Sequence, residues 1–276
     1  MLKRLLILLV AGFAACLALA AYSYFEARRD PVVRETRVAL AGWPAGAAPL
    51  RIVLISDIHI GTPAMDAARL ERIVGQINAL HPDLVVIAGD FIFGHVPDSA
   101  ARIGAPMVAP LARLKAPLGV VAVLGNHDHW TGGAATRALL ERAGVAVVEN
   151  GAVQRGVLVL GVVGDDYSRH ADLPATLAAM AKLHGPRLML THSPDLAPQL
   201  PSDVGLLLAG HTHCGQVLLP FYGPVSDVSR YKARYRCGVR REGGLTVITT
   251  AGLGTSGGPY RLGAPPDLWL VTVGPN

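Results

Sequence analysis

The sequence predicts an α/β domain behind a single membrane-spanning helix. Two observations carry that expectation. Short apolar runs bounded by turn residues alternate with amphipathic helical segments through roughly the first 200 residues. Residues 5–25 form an uncharged apolar run between basic flanks. A third observation points to function: successive apolar runs end on residues that bind metals.

The N-terminal run has Lys3 and Arg4 before it and Arg28 and Arg29 after it. A spanning helix needs about 20 such residues, so residues 1–28 are read as an uncleaved, single-pass anchor. The rival is a cleaved signal peptide, because Ala18-Leu19-Ala20 resembles a small-x-small cleavage site. Around Cys16 a lipoprotein box is only faintly matched, Phe13 fitting it poorly. Basic residues counted on either side slightly favour a cytoplasmic catalytic domain, whereas the export-like features favour the opposite face. The face therefore stays open.

Residues 29–48, rich in Ala, Gly and Pro near their end, read as a linker, and residues 49–276 as the catalytic domain. A strand opens that domain at Leu50. Residues 63–80 read as a helix, since Leu70, Ile73, Val74, Ile77 and Leu80 recur at helical spacing. Further helices are expected at 100–114, 134–143 and 173–183, and a strand at 157–163. After His213 the pattern changes to strands at 217–219, 245–249 and 268–273, separated by Gly-rich loops. These are expected to complete a second sheet.

The chain of 276 residues is long enough for a full core, which at 51% hydrophobic but only 5% aromatic content must be packed with aliphatic side chains. A net charge of +5 is too weak to argue for nucleic acid, and no nucleic-acid partner is expected. Cys214 and Cys237 could pair, but nothing in the sequence requires it.

The metal-binding pattern recurs along the domain. Residues 50–56 end on Asp57, with His59 two positions on. Residues 84–89 end on Asp90. Residues 120–125 end on Asn126 and His127. Residues 188–191 end on His192. Residues 205–210 end on His211, with His213 two positions on. In open α/β sheets ligands bind beyond the carboxyl ends of the strands, so these residues are expected to form one site. Imidazole, carboxylate and amide donors together suit Mn²⁺, Fe or Zn²⁺.

The ordered set D-I-H-I-G at 57–61, G-D-F at 89–91, G-N-H-D at 125–128, T-H-S-P-D at 191–195 and G-H-T-H at 210–213 closely resembles the calcineurin-like metallophosphoesterase family across the soluble domain. H-T-H-C-G-Q-V-L-L-P at 211–220 and the stretch 252–267 resemble its membrane-associated bacterial branch. The resemblance implies a four-layer α/β/β/α sandwich of two mixed sheets. It implies two divalent ions, with Asp57, His59 and His213 on one, Asn126, His192 and His211 on the other, and Asp90 shared. It further implies His127 as a non-metal catalytic group facing the phosphate, Asp128 orienting the imidazole, and Arg261 approaching the substrate phosphate. Cys214, next to a ligand, is given no metal role.

Blander readings fit the remaining candidates. His81, His95, His129, His170 and His184 belong to no pattern and read as surface residues or neighbours of the site, although His129 and Trp130 follow the catalytic loop closely enough to line a pocket. Asp165 and Asp166 read as a strand-end turn. Arg230, Lys232, Arg234 and Arg236 would share one face if extended, a surface for anionic lipid or substrate or else a solvated loop.

The expected function is a dinuclear metal-dependent phosphoesterase of the bacterial cytoplasmic (inner) membrane. Its expected substrate is a phosphodiester or pyrophosphate, with a lipid-linked one such as UDP-diacylglucosamine as the specific candidate. The alternatives are a non-catalytic scaffold of the same fold and a dinuclear hydrolase of non-phosphate substrates.

Overall fold

The computed structural model describes residues 1–275. Two six-stranded mixed sheets face each other. In chain order the strands are β1 (Val32–Ala39), β2 (Leu50–Ile55), β3 (Leu84–Ala88), β4 (Val120–Val123), β5 (Ala146–Val147), β6 (Gly151–Arg155), β7 (Leu158–Val162), β8 (Arg187–Leu190), β9 (Val204–Ala209), β10 (Leu218–Leu219), β11 (Gly223–Pro224), β12 (Gly238–Glu242), β13 (Leu245–Thr249) and β14 (Asp267–Gly274). The first sheet runs β1-β14-β2-β3-β4-β5 and the second β12-β13-β9-β8-β7-β6. The helices are α1 (Leu2–Arg28), α2 (Ala67–Ala79), α3 (Ala100–Gly104), α4 (Val108–Leu111), α5 (Asn126–Arg142) and α6 (Leu173–Met180).

Strand parity explains the layers. Ile52, Leu54, Leu84, Val86, Val121 and Val123 of the first sheet meet Leu158, Leu160, Leu188, Leu190, Leu206 and Leu208 of the second in one buried cluster. The alternate residues Val53, Ile55, Val85, Ile87 and Ala122 turn outward onto Leu70, Ile73 and Ile77 of α2 and Leu139 and Leu140 of α5. On the far side Val159, Met189, Leu207 and Val247 pack under Met180 of α6. Both faces of each sheet are thus buried, so the central strands read as near-continuous apolar runs. This is the expected α/β/β/α sandwich.

Several elements depart from expectation. The segment 29–48 is not a free linker: Val32–Ala39 pairs in parallel with β14 along its whole length. Its alternation is masked by Arg34, Glu35 and Arg37, which an edge strand tolerates. The tail does not all join the second sheet. β12 and β13 do, but β14 crosses over to lie between β1 and β2. The helix expected at 100–114 breaks into α3, a 3-10 turn (Ala105–Met107) and α4, because Pro106 and Pro110 each lack an amide hydrogen. The helix expected from 134 begins at Asn126 and kinks at Gly132, whose φ of 129° no other residue adopts easily. Residues 217–219 do not join the second sheet: Leu218 and Leu219 form the small hairpin β10–β11, and Val217 bridges to Leu262 and Gly263.

α1 is long and apolar enough to cross a membrane, and none of its most apolar window is buried against the domain. Its C-terminal end is another matter: Ser23 and Ala27 are buried. The guanidinium of Arg69, itself 1% exposed, donates to the carbonyls of Arg28 (3.1 Å) and Arg29 (2.8 Å), and also to Ala64 and Leu253. Burial pushes Arg69 down to about 10, so it stays charged at neutral pH. Arg69→Met leaves these carbonyls without their donor. It is expected to cost about 3 kcal/mol, a fall of roughly 6–12 °C in Tm for a domain of this size, read by thermal unfolding of the full chain in detergent. An unchanged Tm would show that Arg69 does not hold the end of α1.

Candidate metal centre

The expected donors converge between the carboxyl ends of both sheets and are buried. Asp57, His59 and His213 form one group and Asp90, His192 and His211 a second, with a third grouping of His59, Asp90 and His127 between them. His59 Nε2 lies 3.2 Å from His213 Nε2, and Asp57 Oδ1 lies 3.4 Å from His213 Nε2. His192 Nε2 lies 3.1 Å from Asn126 Oδ1 and 3.1 Å from His211 Nδ1. Asp90 Oδ2 reaches both groups, 3.6 Å from His59 Nε2 and 3.3 Å from His192 Nε2.

Local structure aims each donor. His192 Nδ1 faces the Ala88 carbonyl at 2.6 Å. A carbonyl only accepts, so Nδ1 carries the proton and the Nε2 lone pair points into the cluster. Asp90 Oδ1 accepts from the backbone N–H of His127 at 2.9 Å, at the positive end of α5. Asp57 Oδ2 accepts from the His211 amide at 3.1 Å and from the Ser56 hydroxyl. Asp57, His59, Asp90, His211 and His213 all have left-handed backbones, with φ of 48–69°.

The donor set fits divalent cations. Asp57 Oδ1 and His211 Nε2 are buried without a hydrogen-bond partner, and both are atoms that a cation would satisfy. Burial pushes His59 down to about 3 and His211 down to about 4. Both imidazoles are therefore neutral, the form that binds metal. Burial likewise raises Asp57 to about 7, a cost that a bound cation would remove.

Two expected roles are corrected. Asp128 does not touch the His127 ring. Its Oδ1 accepts from the Phe91 and Ile92 amides and its Oδ2 from Gly125, so it clamps the loop carrying Asp90 to the start of α5. Burial and nearby Asp90 push its carboxyl up to about 7, against the pull of those amides. The His127 ring is oriented instead by Gly94, whose carbonyl lies 2.8 Å from Nδ1. Nor does Arg261 reach the cavity. It is fully buried, donates to the carbonyls of Ala251, Gly254 and Ala264, and lies 3.4 Å from His213 Nδ1. It braces His213 from behind.

A cavity of about 320 Å³ opens over the donors, lined by Asp90, Asn126, His127, His211 and His213 and also by His95, Trp130, Tyr167, Gln216 and Ser256. Trp130 lines it as anticipated; His129 instead stacks on His170 and faces Glu149. His95 and Tyr167 were missed. His95 packs on His127 (ring centroids 4.6 Å apart) and Tyr167 on His211 (4.5 Å). Their only sequence signal was a place in the loops that follow β3 and β7. Asp165 makes the expected turn, accepting from Ser168. The basic segment is no free cationic face: Lys232–Arg234 is a 3-10 turn, and Arg230, Arg234 and Arg236 pair with Asp195, Glu242 and Asp227.

Sheets that deliver buried His, Asp and Asn donors to one cavity define a metal-dependent hydrolase. A model of the family described as Calcineurin-like phosphoesterase matches residues 50–215. The chain belongs to this family, and thus to the metallophosphoesterases. It is 32% identical over 239 residues to the uncharacterized metallophosphoesterase YkuE of Bacillus subtilis, covering 83% of this chain and 81% of that one. It is 30% identical over 273 residues to a zebrafish (Danio rerio) transmembrane protein with metallophosphoesterase domain, covering 92% of this chain and 60% of that protein, so it spans only part of that relative's length. It is 29% identical over 250 residues to the phosphodiesterase YaeI of Escherichia coli, covering 86% and 87%.

Gly89 lets the Asp90 loop approach the His192 strand. Its φ is +80°, and an added Cβ would lie 2.6 Å from His192 Nδ1 and 2.8 Å from the Gly125 amide. Gly89→Ala should turn the His192 ring off the Ala88 carbonyl. The expected outcome is a lowered metal content per chain by elemental analysis and an activity loss of about 10²-fold, with an unchanged far-UV spectrum. Full metal content would refute this account of His192.

Proposed function

We propose that this chain is a membrane-anchored phosphodiesterase with two divalent ions. Asp57, His59 and His213 would hold one and Asn126, His192 and His211 the other, with Asp90 shared. The observation that carries the reading is Asp90 Oδ2, within 3.6 Å of an imidazole from each group, while its other oxygen is tied to the His127 amide. When bound, such ions lower the pKa of a water and neutralise phosphoryl oxygens. The chain's own residues do the rest. Trp130 and Tyr167 wall the cavity, and Gln216 and Ser256 offer polar contacts. His127, fixed by Gly94, turns Nε2 toward Ser256 Oγ at 3.4 Å and is placed to pass a proton to the leaving oxygen. Burial lowers its pKa, whereas an anionic phosphate beside Nε2 works the other way.

Among the described residues lining the cavity, none is Lys or Arg. A diester brings one negative charge and a monoester two, so a site whose only cations are its metals favours the diester or the inner phosphate of a pyrophosphate. The anchor favours a substrate presented by a lipid. The Cys214–Cys237 disulfide, with Cα atoms 4.8 Å apart, supports a catalytic domain on the oxidising side of a bacterial cytoplasmic membrane. A lipid phosphodiester fits both the anchor and the charge of the cavity lining.

With Mn²⁺, the full chain is expected to hydrolyse bis-p-nitrophenyl phosphate faster than p-nitrophenyl phosphate. His127→Ala should keep its metals yet lose about 10²–10⁴-fold in kcat, least for leaving groups of low pKa. Equal or faster monoester turnover would overturn the diester reading, and a loss independent of leaving group would overturn the proton role. The disulfide gives a separate check. In intact cells a membrane-impermeant maleimide should label Cys214 and Cys237 only after an impermeant reductant is added. Labelling confined to lysed cells would put the domain on the cytoplasmic side.

A further inference from the structure

We propose that the hairpin formed by residues 217–225 is a second membrane contact, dipping into the headgroup–acyl boundary beside the mouth of the cavity. The segment V-L-L-P-F-Y-G-P-V carries no charge, yet it lies at the surface. Phe221 is 111% exposed, Tyr222 75% and Val225 58%. Apolar side chains concentrated on a tip, with no charge to hold them in water, match the chemistry of an interfacial anchor.

The route of the backbone supports a bilayer as the occupant. α1 ends in Tyr22, Tyr24 and Phe25 followed by Arg28 and Arg29, the aromatic and basic residues that sit at the membrane–water boundary. Tyr260 packs against Tyr24, ring centroids 6.5 Å apart, and the Arg261 amide donates to the Ser23 carbonyl at 2.9 Å. The next residue, Leu262, bonds to the hairpin root: Leu218 N–H donates to its carbonyl at 2.8 Å, and its own amide donates to Gln216 at 2.9 Å. The root is thus tied, one residue removed, to the level at which the helix leaves the bilayer. A hairpin arm of a few residues then reaches about 10 Å. On the other side the root is continuous with the cavity, which Gln216 and Ser226 line from its two ends. A contact here would hold the cavity mouth at the surface where a lipid phosphate lies.

The contact rests on the reading of α1 as a span, and its use in catalysis rests on the proposed lipid substrate. The test separates the two. The full chain carrying Phe221→Trp is reconstituted at one copy per nanodisc, and its fluorescence is compared with that of the parent and of Lys182→Trp. Brominated lipids should quench the tryptophan at 221 and leave the one at 182 bright. Equal insensitivity at both positions would overturn the contact. So would shielding at 221 that appears only with several copies per disc, since a second chain would then be the occupant. The double variant Phe221→Ser, Tyr222→Ser should hydrolyse soluble bis-p-nitrophenyl phosphate at the parental rate, which also reports its folding. It should lose about tenfold on a phosphodiester lipid in the disc, because confinement of the mouth to the surface is lost. Quenching at 221 with no loss on the lipid upholds the contact and overturns the lipid-substrate reading instead.

Discussion

The structure depends on a buried carboxylate that cannot be satisfied by hydrogen bonds alone. Asp90 spends one oxygen on the His127 amide and turns the other toward imidazoles delivered by β2 and β8. Burial alone would drive its proton back on. The neighbouring imidazoles of His192, His59 and His127 together outweigh that and hold Asp90 well below the usual carboxylate range. An interior that concentrates carboxylates and imidazole lone pairs in one place is stable only when cations occupy it or protons stand in for them. The two sheets must therefore meet with their carboxyl ends together: no one sheet supplies both groups of donors, and only their face-to-face packing brings β8 and β9 within reach of β2 and β3.

Holding that charge has a conformational cost. Asp57, His59, Asp90, His211 and His213 all adopt left-handed backbones, a region that disfavours residues with a Cβ by roughly 1 kcal/mol each. Such turns persist only where the surroundings over-determine them. Here they are fixed by ladder ends on one side and by donor contacts on the other. Asp128 belongs to this framework. By gathering the amides of Gly125, Phe91 and Ile92, it fixes the Asp90 loop against α5, a positioning role that proximity to His127 in the sequence disguises.

The donors were legible in the sequence because strand-end position and side-chain chemistry are both local. Each apolar run stops where the buried ladder stops, and the next residue points into the site. Asp128 and Arg261 were misread because their partners are backbone carbonyls and amides, which a sequence does not distinguish. The helix at 67–79 was legible from its apolar spacing, though read as 63–80; its start is set by the Asp66 cap, whose side chain accepts from the Arg69 amide. β1 was not, because an edge strand carries charges on its open side and resembles a linker. His95 and Tyr167 lie in irregular loops without period, and only the tertiary fold brings them over His127 and His211.

The buried arginines extend the same constraint toward the membrane. Arg69 gathers the carbonyls at the end of α1 and that of Leu253, while Arg261 gathers those around the His213 loop and offers its amide to Ser23. Leu253 itself bonds to the Ser56 carbonyl, next to Asp57. A continuous set of hydrogen bonds thus runs from the last turn of the apolar helix to the residue before Asp57. A flexible tether would let the cavity take any orientation at the surface. One whose end is pinned by the Arg69 guanidinium and by the Arg261 amide restricts the tilt of the domain along with its distance. For the lipid substrate proposed above, orientation of this kind would decide which loops of the cavity rim face the bilayer.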